Sequence, residues 1–206
     1  MTKKAQIHTI RKKDGMGKKI AIFGGSFDPV HIGHVALVVA MQEAHDLDYI
    51  CIIPAKQNPL KLGIDMQDRE HRLAMLQMAF KDLPYCKVLT LELEREGPSY
   101  TIDTVTELKK LFPDDTLYLI IGEDNVASFS LWKHVDELMR QTHCLLARRK
   151  GADTVQNEWL KAGMTNTPYF EVSSTQIRDR IKKKLYCGHL LNNQVYNYIQ
   201  INHLYE

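Results

Sequence analysis

From Lys19 onward, short apolar runs alternate with segments carrying apolar residues at helical spacing, and this alternation constrains the chain more than any other feature. Residues 20–23 form an apolar run that ends in Gly24-Gly25, the pattern of a buried strand meeting a tight turn. Residues 49–53 read as a second buried strand, closed by Pro54. Residues 117–121 predict a central strand ending at Gly122, and 144–147 and 169–172 predict two more. Leu89, Leu91 and Leu93 alternate with Thr90, Glu92 and Glu94, which predicts a half-exposed strand near a sheet edge.

Between these runs lie the helical segments. Residues 34–44 carry small and aliphatic side chains, and Asp68 is placed to cap a helix with Leu73, Leu76, Ala79 and Phe80 on one face. Ile102, Val105, Leu108 and Phe112 mark another, and further helices are predicted over 132–139, weakly near Trp159, from Thr175 onward, and over 195–199. Strands spaced by helices imply right-handed crossovers. The predicted fold is therefore α/β: Rossmann-like and doubly wound, a mostly parallel sheet with helices on both faces. Ligands of such sheets sit beyond the C-terminal ends of the strands.

Composition supports one ordinary domain. The chain has 206 residues, 44% of them apolar and 25% charged, with a formal net charge of only +2. So even a balance gives no support to a nucleic-acid partner, though a local phosphate pocket fits it. Cys51, Cys86, Cys144 and Cys187 are widely spaced with no C-x-x-C pair, which predicts reduced thiols in a cytoplasmic protein rather than zinc or disulfides. No apolar run approaches bilayer-spanning length, and no signal-peptide pattern opens the chain. Residues 1–18 crowd Lys3, Lys4, Arg11, Lys12, Lys13 and Lys18 into a segment without apolar periodicity. A basic, disordered extension is expected there, ahead of a single domain over 19–206, with Met16 a candidate start. Homo-oligomerisation is left open.

The first predicted strand delivers the chain into Gly24-Gly25-Ser26-Phe27-Asp28-Pro29-Val30-His31-Ile32-Gly33-His34. Two glycines at a strand end let the backbone approach a ligand closely. A helix opening near His34 aims its free N–H groups and positive dipole end at the same place. His31 and His34 flank Gly33 and both can reach an anion there, while Gly33 is expected to leave room for a phosphate or base. Taken singly, a histidine is more often a core or surface residue and a Gly-Gly turn is common. The whole string after a strand is far more specific, and it matches neither G-x-G-x-x-G nor the P-loop. A metal reading lacks carboxylate or thiol partners at ligand spacing.

Near the other end, Val172-Ser173-Ser174-Thr175-Gln176-Ile177-Arg178 follows a predicted strand and opens a helix. Hydroxyls there can cap the helix and donate to phosphate oxygens, and Arg178 adds a fork of donors one turn in. Alone, an ordinary cap with a solvated arginine is the better reading. Paired with the first string, it becomes a second phosphate clamp.

Together these strings resemble the paired signatures of the bacterial nicotinate-nucleotide adenylyltransferases. Further matches in order are Pro98-Ser99-Tyr100-Thr101-Ile102-Asp103-Thr104, Ile121-Gly122-Glu123-Asp124, the Phe129-x-x-Trp132 spacing, Arg148-Arg149 and the terminal region from Tyr198-Ile199 to Leu204-Tyr205. The resemblance runs from Lys19 to the C-terminus. It implies ATP binding by Gly24, Gly25, Ser26, Phe27 and Lys61, with His31 and His34 on the phosphates. Arg178, Ser174 and Thr175 would hold the β and γ groups, and Gly122 and Asp124 would line the adenosine site. It also implies that Trp132 stacks on the nicotinate ring and that Asn58, Thr101 and Arg149 help fix the mononucleotide. For Trp132 the plain alternative is a core aromatic. One departure is Asn58-Pro59-Leu60-Lys61, where the family often has Pro-Pro-His-Lys.

The implied reaction is attack of the 5′-phosphate of nicotinate mononucleotide on the α-phosphorus of ATP, giving deamido-NAD and pyrophosphate. It requires alignment and charge neutralisation, with no protein nucleophile or general base assigned. Mg²⁺ would be bound mainly through the ATP phosphates. Rival readings are adenylyltransferases for nicotinamide mononucleotide or pantetheine phosphate, and a non-catalytic nucleotide-binding module. A class I aminoacyl-tRNA synthetase shares His31-Ile32-Gly33-His34, but the chain lacks Lys-Met-Ser-Lys-Ser and the length for an anticodon module.

Overall fold

Six strands carry the scaffold: β1 (Lys19–Gly25), β2 (Tyr49–Pro54), β3 (Cys86–Val88), β4 (Thr116–Gly122), β5 (His143–Arg148) and β6 (Met164–Asn166). A computed structural model describes residues 17–59, 65–148, 155–168 and 170–206. The strands form one sheet in the order β3-β2-β1-β4-β5-β6, with every pairing parallel. The central strands are apolar without alternation because both faces are covered, as parallel sheets require.

Alternate residues of each strand enter different cores. Ala21, Phe23, Ile50, Ile52, Ile120 and Leu145 join one cluster with Val38, Met41, Leu76, Ile177, Val195 and Ile199. Ile20, Ile22, Cys51, Ile53, Leu119 and Leu146 join the other with Ile102, Val105, Leu108, Leu138 and Leu160. The helices behind the first cluster are α1 (Ile32–His45), α2 (Arg69–Phe80), α7 (Ser174–Lys182) and α8 (Asn193–Ile201). The second is covered by α4 (Thr101–Leu111), α5 (Val135–Gln141) and α6 (Glu158–Ala162). The expected doubly wound α/β architecture is what the chain adopts.

Several expected elements fall elsewhere. The alternation at 89–94 is not a strand: β3 ends at Val88, and Leu91–Glu94 forms a short helix, α3. Leu89, Leu91 and Leu93 are buried, but so is Glu92, whose carboxylate accepts the Thr104 hydroxyl at 2.7 Å. A buried hydrogen-bonded acid thus mimicked a solvent-facing position. Burial raises the Glu92 pKa, and bonds from Thr104 and Ser99 pull against that shift.

The strand expected over 169–172 is absent at the described positions 170–172, where Val172 N–H donates to the Phe170 carbonyl at 2.8 Å. The sheet instead ends at β6, whose last pair is Arg148 with Asn166, and Pro168 beyond it has no N–H to extend a ladder. The helix expected over 132–139 starts only at Val135, because His134 takes a left-handed backbone (φ 52°). Before it, a 3₁₀ helix spans Glu123–Leu131. On α2, Asp68 is the N-cap as expected but makes no side-chain cap bond, and Leu73 is only half-buried. The inward face holds Arg72, Met75, Leu76 and Phe80.

Lys18, expected in the extension, is 7% exposed. Its N–H donates to Asp115 Oδ1 at 2.8 Å and its ammonium lies over the Tyr49 ring. Residues 1–16 lie outside the described residues.

The outer edge of the sheet rests on a glycine. Gly163 follows α6, and its carbonyl accepts Leu146 N–H at 2.8 Å. A β-carbon there would overlap the Cys144 carbonyl. Gly163→Ala is therefore expected to destabilise the fold by about 1–3 kcal/mol, the scale for overpacking. Urea unfolding measures it, and an unchanged midpoint would show that the β5–β6 edge yields freely.

Candidate active site at the parting of two strands

The site begins where hydrogen bonding between β1 and β4 stops. Their register ends at Ile22 opposite Leu119, whereas β1 stays paired with β2 to Gly25–Pro54 and β4 with β5 to Gly122–Ala147. The chain winds outward in opposite directions from this pair, so a crevice opens at the switch point, on the side of the strands' C-terminal ends. Gly24, Gly25 and Gly122 stand at its rim.

After Gly25 the chain turns sharply. Phe27 has φ 49°, the Asp28–Pro29 peptide is cis, and α1 follows with His31 as its N-cap. The Phe27 ring folds under Gly25, where a β-carbon would come within 3.0 Å of it. His31 is 6% exposed and stacks on His34 with ring centroids 3.7 Å apart. His34 Nδ1 accepts the His31 backbone N–H at 3.2 Å. In the neutral His34 ring the proton therefore sits on Nε2, leaving that nitrogen as a donor. The edge of Phe27 also packs against His34, at 5.0 Å between centroids.

Gly33 does not leave room for a ligand as expected. A β-carbon there would lie 2.9 Å from Val172 Cγ1 and 3.1 Å from His31 Nδ1. The missing side chain lets the segment before α7 pack directly against the first motif.

That packing joins the two motifs. Ser174 Oγ donates to the Pro29 carbonyl at 2.8 Å, and Arg178 Nη1 donates to the Asp28 carbonyl at 2.7 Å. Arg178 Nη2 also reaches Thr175 Oγ1 at 3.2 Å, while Ser173, not Ser174, caps α7 by accepting Gln176 N–H. His31, His34, Ser174, Thr175 and Arg178 thus gather around one loop. Across the crevice, Gly122 precedes the 3₁₀ helix, and Asp124 is exposed with its carboxylate over the Gly122 backbone.

The expected mononucleotide residues lie on segments that are also tied together. Ser99 N–H donates to the Gln57 carbonyl and Ser99 Oγ accepts Lys56 N–H, both at 2.9 Å, which fixes the Asn58 turn beside the start of α4 and Thr101. Lys133 lies over the Tyr100 ring at 4.4 Å and 3.6 Å from Asp103, linking that start to Trp132. Trp132 is half-buried against Phe129, 5.4 Å between centroids, and its indole N–H is buried without a hydrogen-bond partner among the described residues. Lys61, Leu60 and Arg149 lie outside the described residues.

Three groups complete the loop: Arg72, which sequence patterns do not single out, and Asp28 and Tyr205, which lie within matched strings but were given no role. Arg72, 2% exposed, donates to the carbonyls of Ser26 and Ala55, both at 2.8 Å, and of Gln67 at 3.0 Å. Asp28 Oδ1 accepts the Tyr205 hydroxyl at 2.7 Å and Gln67 N–H at 3.3 Å. The only signal for Arg72 was its position on the helix face that also carries Leu76.

The comparisons with known proteins agree with this geometry. Residues 22–180 match the cytidylyltransferase-like family. The nicotinate-nucleotide adenylyltransferase of Bacillus subtilis is 40% identical over 189 residues, covering 92% of this chain and 99% of that protein. The Plasmodium falciparum nicotinic acid mononucleotide adenylyltransferase, in its complex with NaAD, shares the fold at TM-score 0.73 with 21% identity, covering 91% of this chain and 97% of that one. Its complex with APC superposes at TM-score 0.74. On these grounds, and on the joined motifs at the strand-end crevice, the chain belongs to the nicotinate-nucleotide adenylyltransferase family of nucleotidyltransferases.

Proposed function

We propose that the protein moves the adenylyl group of ATP onto nicotinate mononucleotide, with the residues around the crevice acting as aligned charge-neutralising donors. The observation that carries this reading is the hydrogen bonding of Ser174 and Arg178 to the 28–29 carbonyls beside His31 and His34. It sets the Thr175 hydroxyl, whose oxygen accepts from Arg178, with guanidinium and imidazole donors at a helix N-terminus, an arrangement suited to a polyphosphate. Arg178 keeps further N–H donors beyond those given to Asp28 and Thr175.

In the reaction an oxygen of the mononucleotide 5′-phosphate forms a bond to the α-phosphorus as the bond to the β-phosphate oxygen breaks, and pyrophosphate leaves. Charge accumulates on the leaving oxygens, where His34 Nε2–H and Arg178 would stabilise it. Gly24, Gly25, Ser26 and Phe27 form the backbone floor, Gly122 and Asp124 the adenosine side. Lys61 and Arg149 keep the roles that the family pattern implies.

Mg²⁺ fits as a companion of the phosphates. Among the described residues no three metal-ligating side chains gather, and Asp28 in the loop is committed to Tyr205 and Gln67. The ion would neutralise phosphate charge, held by phosphate oxygens and water. A cytoplasmic setting belongs to the proposal, supported by four free thiols; burial pushes those of Cys51, Cys86 and Cys144 up to about 12.

His34→Ala is expected to lower kcat about 100-fold, the scale for one preorganised donor. Because His34 also accepts the N–H of the α1 cap, stability should fall by about 0.5–2 kcal/mol. Steady-state kinetics and a thermal melt separate the effects, and near-normal turnover would remove His34 from the machinery.

Trp132→Ala is expected to weaken mononucleotide use by about 1–3 kcal/mol, on the scale of base–aromatic stacking, with the ATP KM nearly unchanged. An equal loss for both substrates would assign Trp132 to the core alone. Pyrophosphate release with each pyridine mononucleotide tests the acceptor. The acid should exceed the amide, and equal kcat/KM values would withdraw the nicotinate assignment.

A further inference from the structure

Tyr205 is the penultimate residue, 177 positions from the loop it touches, yet it is 8% exposed and its hydroxyl donates to Asp28 Oδ1 at 2.7 Å. The chain end is shaped to deliver it. After α8, Leu204 N–H donates to the Ile199 carbonyl, and Leu204 is 4% exposed. His203 and Tyr205 both adopt left-handed backbone, φ 50° and 68°. Non-glycine residues pay conformational free energy there and hold it only where surrounding contacts fix them.

What Tyr205 grips is the centre of the loop. Asp28 is 4% exposed, and three carbonyls of the turn are tied: Ser26 O to Arg72, Asp28 O to Arg178, Pro29 O to Ser174. Carbonyls engaged by these donors cannot turn their negative ends toward a polyphosphate. The Asp28 side chain is held in its turn by the Tyr205 hydroxyl and the Gln67 N–H, which set its orientation.

We propose that Tyr205 is a positioning residue for nucleotide binding: through Asp28 it holds the 26–29 turn, and with it Arg178, in the geometry that receives a nucleoside triphosphate. The inference rests on the ATP-using reading of this crevice but not on the identity of the acceptor. Burial and the adjacent Asp28 carboxylate raise the Tyr205 pKa well above tyrosine's usual value, so the hydroxyl stays a donor.

Tyr205→Phe keeps the ring and removes one hydroxyl. ATP affinity, measured by calorimetry with ATP alone, is expected to fall about tenfold, the scale of a hydrogen bond to a charged group. The mononucleotide KM should stay unchanged. Tyr198→Phe is the control: it removes the bond from the same C-terminal segment to His71 Nδ1 (2.9 Å) and should leave ATP affinity intact. Tyr205→Phe added to Asp28→Asn should weaken ATP no further than Asp28→Asn alone. Equal losses in both tyrosine variants, or a lower melting temperature with wild-type ATP affinity, would overturn the proposal. Wild-type protein that binds ATP more tightly than Tyr205→Phe but releases no pyrophosphate with nicotinate mononucleotide would overturn the acceptor assignment and leave this inference standing.

Discussion

Arg72 carries a positive charge at 2% exposure, and the loops of the crevice are arranged around it. Burial of an unpaired guanidinium costs several kcal/mol, so its position demands compensation. Carbonyls from three segments supply it: Ser26 after β1, Ala55 after β2, and Gln67 before α2. Burial lowers the Arg72 pKa, and the Asp28 carboxylate opposes that shift. A cation thus ties together turns from three parts of the chain. It also keeps their carbonyls occupied beside a crevice expected to hold several negative charges.

The same logic extends outward. Asp28, turned toward Arg72's region, is held by Tyr205, and its carbonyl anchors Arg178. Arg178 is therefore bonded at two nitrogens, to the Asp28 carbonyl and to Thr175 Oγ1, which removes rotamer freedom that binding of a phosphate, as proposed, would otherwise have to freeze. Preorganisation of this kind is where such a site gains rate, since in-line phosphoryl transfer needs little else from the protein.

Much of this was legible in the residues, and what was not has physical causes. β1, β2 and β4 are readable because strands covered on both faces are continuously apolar. The stretch at 89–94 misleads because Glu92 is buried against Thr104, and a pattern of acids cannot say whether water or a hydroxyl satisfies them. Arg72 on α2 reads as a surface residue for the same reason. His31, His34, Ser174 and Arg178, which the structure brings together, could be singled out because their chemistry is local to two short strings. The bond from Tyr205 to Asp28 joins residues 177 apart, and no periodicity records it.

Gly33 shows how a residue can be found for the wrong reason. An absent side chain beside two histidines reads naturally as space for a ligand. Instead Val172 and the His31 ring fill that space, and the glycine lets the strand-end loop and the approach to α7 close on each other. In the same region Ser174 and Arg178 donate to the Pro29 and Asp28 carbonyls, so the two strings meet in one place. The close approach at Gly33 thus has a packing reason of its own, and it sits in the same string as the residues expected to bind phosphate.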